Sequence, residues 1–506
     1  MIQSTTVVTF LLIVGGTSLV AVTARRFRRR DRLPSLDGWA LADRSFGGSV
    51  TWFLLGGTIF TAYTFAAVPG LVYGVGALAF FALPYTVVLC PLAFVVLPRL
   101  WQAARDGGHI TVADYIKARY ASPLLALAVA LTGILATMPY IALQLLGIRA
   151  VLTAGGLYPQ GWVGDLALIG LFAVLAVATY HHGLRAPAVI SLVKGVAIGG
   201  AAIAVVAVAL DEFGGPGPMF AAAEARLPTP GLPGASLHLD PTLYPAFATL
   251  ALGSAMALLM YPHLHTATFA ASSADVVRRV TVALPAWTAV LGLFGLLGIA
   301  ALAAGVLAPA GNAEAAVPLL VRNLMPAALT GAIFGAFVVG ALVPAAVMSI
   351  AAATLFVRNV YVEYFHPTAT PKHQTRIAKL ISLTAKVGAV GFVVGLRNQD
   401  AINLQLLGGV WILQTFPAVV LGLFTRLSHS RALLAGWVTG MIVGTLLVVR
   451  QGFSAVVWIG LGDHRTPMYA AVVALVVNLV VVAGVGPLLA RGGRRRLRTG
   501  SAVGPS

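Results

Sequence analysis

The chain holds one cysteine, Cys90, and it lies inside an apolar run. A single thiol builds neither a disulfide framework nor a thiolate metal site, so it reads as a packed membrane residue. Acidic side chains are the second scarcity. Asp and Glu number 15 in 506 residues, and charged residues make up 9%, where a soluble domain carries about 25%. Each acid falls in an expected loop or near a helix end, leaving no buried carboxylate to balance an ion or pass a proton. Also missing are a metal-ligand cluster, a phosphate-binding glycine loop and a nucleophile elbow. An enzyme has little footing here, and no organic cofactor is expected.

What is abundant is apolar sequence, 59% of residues. Runs of about twenty apolar residues are the length that crosses a bilayer. They fall at residues 5–24, 50–73, 76–97, 123–152, 162–180, 188–210, 245–265, 282–307, 325–356, 381–396, 402–424, 433–449 and 468–489, about thirteen spans. The net charge of +18 is concentrated in Arg25, Arg26, Arg28, Arg29, Arg30 and Arg32, and again in Arg491, Arg494, Arg495, Arg496 and Arg498. Both clusters abut apolar runs, so the positive-inside rule explains them better than nucleic-acid binding. That puts the N-terminus outside and the C-terminus in the cytoplasm of a bacterial inner-membrane protein. The first run precedes its basic cluster and lacks a clear small-residue cleavage site, so it reads as a retained helix rather than a signal peptide. In the basic segment 98–122, Thr111 is placed to cap a short helix.

One span is unlike the rest. Residues 54–76, LLGGTIFTAYTFAAVPGLVYGVG, carry Gly56–Gly57 near the start and Pro69–Gly70 later. A broken backbone in lipid is tolerated only where protein or water meets the freed N–H and C=O groups. Those groups then become available to an ion or substrate; the ordinary alternative is a kinked packing helix. Residues 248–265 repeat the layout, with Gly253, Ser254, Pro262 and His263. Two interrupted helices at corresponding places in two halves point to a transporter site.

A small anion needs a few donors in an otherwise apolar cavity. Candidates are Thr61, Tyr63 and Thr64 on the broken helix, Tyr85, Tyr140 and Gln144 on the next spans, and His263. Lys194 and Lys386 lie within spans, where an ionisable residue is a functional candidate by default. Lys194 either binds the anion or snorkels to the inner end. His263 and His265 either relay a proton or cap the end of the seventh helix. Trp287 and Trp411 read as packing or gate residues.

Five motifs in order, LADRS at 41–45, VPGLVYG at 68–74, ITVADYIKARY at 110–120, PYIALQLLG at 139–147 and VPAAVMS at 343–349, resemble the sodium:solute symporter family. The match spans about residues 39–426. FTAYTF at 60–65, ATMPYIALQLLG at 136–147, YPHLHT at 261–266, ASSADVVRR at 271–279 and AINLQLLGGVWILQT at 401–415 are similar to the bacterial monocarboxylate permease branch. The resemblance implies an all-α polytopic protein with a LeuT-like inverted repeat of five plus five helices and flanking helices. In that layout, residues 1–45 are a first helix and basic loop, and 46–426 the core, with halves at 46–210 and 244–426. Two further helices occupy 427–490, and 491–506 is a basic tail.

The resemblance also implies a sodium site built from the carbonyls of Gly57, Phe60 and Ala346 and the hydroxyl of Ser349. Its next ligand position is Ile350, which offers only a backbone oxygen. Gln405 aligns with a substrate-contacting glutamine. The implied activity is uptake of short monocarboxylates such as pyruvate, lactate, acetate or propionate by alternating access, coupled to sodium or protons. A carrier of another small solute such as an amino acid, or a transporter-like sensor, is the alternative.

Overall fold

A computed structural model describes residues 4–23, 35–158, 182–227, 236–395, 401–425, 429–462 and 464–500, with isolated positions between 163 and 170. The fifth expected span and the first arginine cluster lie outside the described residues. Among the described residues, nine helices are long and apolar enough to cross a membrane, or ten if one bent pair counts as a span.

The bent pair is the singular stretch. Helices α2 (Gly48–Ile59) and α3 (Tyr63–Val75) meet at 48°. The break is at Phe60–Ala62, where Phe60 is extended (φ −94°, ψ 96°), and not at Gly56–Gly57 or Pro69–Gly70. Gly56 and Gly57 stay helical because they serve contact: a Cβ on Gly56 would enter the Trp287 ring, and one on Gly57 would crowd Ser191. Pro69 falls in the first turn of the α-helical part of α3, where its missing N–H costs nothing. Gly70 lets α3 approach the backbone of Ala313 and Glu314.

The remaining helices surround this break. They are α1 (Ser4–Thr23), α4 (Ala77–Asp106), α5 (Val112–Tyr120), α6 (Pro123–Ala154) and α7 (Arg185–Phe213). After a loop carrying the short helix Pro216–Glu224 come α8 (Pro241–Met260), α9 (Pro262–Phe269), α10 (Ala274–Ala303) and α11 (Ala316–Leu324). Then follow α12 (Ala327–Phe365), α13 (Pro371–Gly395), α14 (Ala401–Phe424), α15 (Ser430–Arg450) and α16 (Ala470–Gly500). Between α8 and α9 the chain is interrupted again: Tyr261 is extended (φ −66°, ψ 134°) and Pro262 follows. The most apolar window of α12 is entirely buried. Gly331 and Gly335, one turn apart, bring α12 against Thr6, Thr9 and Ile13 of α1, the small-residue contact that stands in for a hydrophobic drive between helices in lipid.

Several boundaries differ from the sequence reading. Helix α4 runs on through Pro98 to Asp106, because Trp101 of the added turns is buried and donates to the Ala271 carbonyl (3.0 Å). The loop after the seventh span is partly helical from Ala274, N-capped by Ser273. Helix α13 begins ten residues earlier, at Pro371. Residues 456–469 form an antiparallel hairpin, β1 (Val456–Leu461) with β2 (His464–Tyr469), Val456 opposite Tyr469. Val456–Ile459 is a short continuous apolar run with no period-two signal, which the sequence reading leaves between spans.

Buried carboxylates exist, contrary to expectation, and both are at helix ends where backbone N–H groups meet them. Glu314 accepts from Ala401 N (2.6 Å). Asp114 closes a capping box with Thr111, accepts from Ile110 N (3.0 Å) and Asn359 Nδ2 (2.8 Å), and faces Arg358. Arg44 donates to the His109 carbonyl (2.6 Å), and Arg119 to those of Gly422 and Thr425. This end of the bundle is therefore tied through α4, α5, α12 and α14. Burial beside Arg105 and Asp37 leaves the Arg44 guanidinium below its ordinary pKa, desolvation outweighing the attraction of Asp37.

Two substitutions test the packing. Asp114→Ala strands several buried donors and should cost about 3 kcal/mol, read as a lower melting temperature of the detergent-purified protein. Gly147 on α6 faces Ala62 at the break, and any Cβ there would overlap the alanine methyl. Gly147→Val should lower the melting temperature as well, while Gly15→Val, where nothing stands near, should not.

Candidate functional site

The break in α2–α3 exposes backbone groups inside an apolar bundle, where an unmet donor or acceptor costs several kcal/mol. Side chains meet them on two sides. On the first, Gln144 of α6 spans the gap: its Oε1 accepts from Ala62 N (3.0 Å), and its Nε2 donates to Thr61 Oγ1 (3.3 Å) and to the Tyr140 carbonyl (3.2 Å). Thr61 Oγ1 in turn accepts from Tyr63 N (3.1 Å). Both ends of the Gln144 amide are thus committed to holding the break.

Around this strut the two interrupted helices meet. The rings of Tyr140, Tyr261 and His263 form a mutual triangle with centroids 5.2–5.3 Å apart. Tyr261 Oη donates to the Gln405 carbonyl of α14 (3.3 Å), and Gly408 makes room for that hydroxyl. Tyr63 and Tyr85 stand edge to face at 6.1 Å. Several polar atoms in this region are buried without a hydrogen-bond partner: both ring nitrogens of His263, Gln405 Oε1, Tyr63 Oη and Thr64 Oγ1. Buried polar groups are otherwise nearly always paired, so this set has binding capacity to spare.

The two histidines separate. His265 Nε2 lies 2.7 Å from the Leu259 carbonyl, so that nitrogen is the donor and His265 caps the last turn of α8. His263, two residues earlier, makes no such bond and faces the aromatic triangle.

On the other side of the break stands Lys194 of α7. Its Nζ donates to the carbonyls of Gly57 (2.6 Å) and Phe60 (3.0 Å), and the residue is 1% exposed. It does not snorkel, and it does not join the group around Tyr140. The Phe60 ring stacks on Trp287 (5.5 Å, 16°) and closes this side off. The remaining positions of the expected ion site are on α12. Ser349 Oγ donates to the Ala346 carbonyl (2.8 Å) and accepts from Lys386 Nζ (2.7 Å) and Ser382 Oγ (3.1 Å). The Ile350 carbonyl accepts from Thr354 Oγ1 (2.7 Å).

A cleft adjoins the site at the Asp114 end of the bundle. Val129 and Gly133 of α6, His265 and Thr266 of α9, Thr354 of α12 and Thr415 of α14 line it. It leads from the loop at Ile110–Thr111 toward the second interruption at Pro262.

Thus Thr61, Tyr63, Thr64, Tyr85, Tyr140, Gln144, His263 and Gln405 are brought around one junction, while Gly57, Phe60 and Lys194 form a second group and Ala346, Ser349, Ile350 and Lys386 a third. Sequence reasoning passed over Tyr261, which joins α9 to α14. Its place directly before Pro262, at the second interruption, is the signal that marks it. Tyr469 of the hairpin was also missed; its hydroxyl donates to the Leu406 carbonyl (2.6 Å).

A family profile described as the sodium:solute symporter family matches residues 39–444. A monocarboxylate transport permease protein of Rhizobium johnstonii is 45% identical over 488 residues, covering 96% of this chain and 98% of its own. An uncharacterised symporter of Bacillus subtilis is 30% identical over 494 residues, 96% and 94% of the two chains. Among solved structures, a Na+-coupled sialic acid symporter in a substrate-bound outward-open state superimposes with a TM-score of 0.76, over 96% of this chain and 98% of that one, at 16% identity. That last likeness is one of fold, the LeuT-like arrangement. The profile match over most of the chain and the two relatives along nearly all of it give one answer: this multi-pass membrane protein belongs to the sodium:solute symporter family, whose members couple the movement of a solute to that of a cation.

Proposed function

We propose that the chain takes up short monocarboxylates of the pyruvate, lactate, acetate and propionate class by alternating access. The observation that carries this reading is the set of unpartnered buried atoms at the junction of the two interrupted helices. A carboxylate accepts hydrogen bonds and a small acid has little apolar surface, so a compact aromatic-walled site with a few free donors suits it. In this reading Tyr63, Thr64 and His263 donate to the acid. Gln405 meets its other end through the side-chain amide, and Tyr85 and Tyr140 are walls. Gln144 and Thr61 act one step back, fixing the backbone that carries Tyr63 and Thr64. The name of the 45%-identical rhizobial relative supports the substrate class.

The two interrupted helices support a core of two inverted repeats, residues 46–210 and 244–426. The arginine clusters support an external N-terminus and a cytoplasmic C-terminus, which makes the cleft beside His265 the inner exit. The coupling cation is sodium, as the family description has it, or the proton. A carrier of amino acids is the second reading, since pocket shape decides between solutes of similar size.

Uptake of labelled pyruvate and acetate into proteoliposomes, under separately imposed sodium and proton gradients, tests the proposal. Unlabelled lactate and propionate should compete and neutral amino acids should not; competition by amino acids alone would favour the second reading. Gln405→Ala and His263→Ala should each lower the uptake efficiency about tenfold or more while leaving the fold intact. Gln144→Ala should behave differently. It leaves Ala62 N unmet, costs about 1–3 kcal/mol, and should lower the melting temperature along with uptake.

A further inference from the structure

The oxygens that the family resemblance would give to a sodium ion are already committed. Gly57 and Phe60 carbonyls both accept from Lys194 Nζ, at 2.6 and 3.0 Å. A serine hydroxyl has one proton and two lone pairs. Ser349 uses the proton on the Ala346 carbonyl, and its lone pairs face Lys386 Nζ and Ser382 Oγ. The Ala346 and Ile350 carbonyls lie in continuous helix, where each accepts the N–H four residues on. Each also takes a hydroxyl, from Ser349 and Thr354 respectively. Ile350 has no side-chain oxygen to add. Among the described residues no group of three or more His, Cys, Asp or Glu stands together to hold a metal, and none of the ion pairs involves Lys194 or Lys386. The residues present do not fit a sodium ion.

We infer that Lys194 is a tethered replacement for that sodium: its amino group takes the broken-helix carbonyls that the resemblance gives to the ion, Lys386 takes the α12 serine hydroxyl, and the chain binds no sodium there and needs none to transport. The arrangement has a structural reason. A break in an apolar bundle needs something to meet its freed carbonyls, and a mobile ion can leave whereas a side chain cannot. Gly57 lets α7 pack closely on α2, since a Cβ there would crowd Ser191, one turn before Lys194.

This inference rests on the symporter reading but not on which acid is carried, so its main readout needs no substrate. Binding of sodium-22 to the purified full-length protein is measured by scintillation proximity. In parallel, uptake is compared in sodium-containing and N-methylglucamine buffers. The expected result is no saturable sodium binding, and uptake that changes by less than about twofold on sodium withdrawal. Saturable sodium-22 binding by the wild type, or uptake that stops without sodium, overturns the inference. Lys194→Ala and Lys194→Met remove the donors to Gly57 and Phe60 and should lose uptake about tenfold or more. Either variant, folded by size exclusion and transporting at the wild-type rate in sodium-free buffer, also overturns it. Failure to carry any monocarboxylate would count against the proposed substrate and leave the sodium-22 measurement standing.

Discussion

The constraint on which the structure depends is the interruption of backbone hydrogen bonding at the bend between α2 and α3, inside an apolar bundle. At Phe60–Ala62 the helix gives up its own N–H···O=C bonds, and no water is available in the hydrocarbon to replace them. Everything nearby is arranged to meet the freed groups. Gln144 and Thr61 take the amides of Ala62 and Tyr63, and Lys194 takes the carbonyls of Gly57 and Phe60. Donors are supplied to the side with free oxygens and acceptors to the side with free N–H groups. The bend is therefore held by two neighbouring side chains, Gln144 and Lys194, together with Thr61 of the bend itself.

Close packing makes those bonds reachable. Gln144 reaches Ala62 because Gly147, one turn on, lets α6 touch the bend, and Gly57 lets α7 close on α2 at Ser191, one turn before Lys194. Glycines at these points act through contact and not through backbone freedom, since all remain helical. The same device recurs at Gly408, which admits the Tyr261 hydroxyl, and at Gly331 and Gly335 against α1. Without a hydrophobic force between helices in lipid, approach distance decides which polar groups meet.

Much of this was legible in the letters. The class of protein, the singular stretch at 54–76, its echo at 248–265 and the polar residues near Tyr140 on those spans follow from the apolar runs and the scarcity of polar residues within them, whereas Gln405 came from the family resemblance. The location of the break was not. Glycine and proline marked the stretch, but the chain opens at Phe60–Ala62, three residues with no breaker among them, because tertiary bonds to Gln144 and Lys194 outweigh local preference. The roles of the lysines were equally hidden. Sequence places Lys194 on a span; only the packing of α7 against α2 says that its amine meets carbonyls and not an anion or the interface. His263 and His265 look alike in YPHLHT, and the turn at Tyr261 separates them by putting one against Leu259 and the other against Tyr140.

The two sides of the break consequently differ in what they have left to offer. The Lys194 side is closed: its oxygens are paired and the Phe60–Trp287 stack covers it. The Tyr140 side keeps His263, Gln405, Tyr63 and Thr64 with unpaired atoms. A bundle that leaves such groups buried and unmet pays about 1–3 kcal/mol for each. Pairing on the Lys194 side keeps the bend in place whatever meets the unpaired atoms on the other. The amine of Lys194 thus meets the carbonyls of the bend from one side, and the unpaired atoms stand on the other.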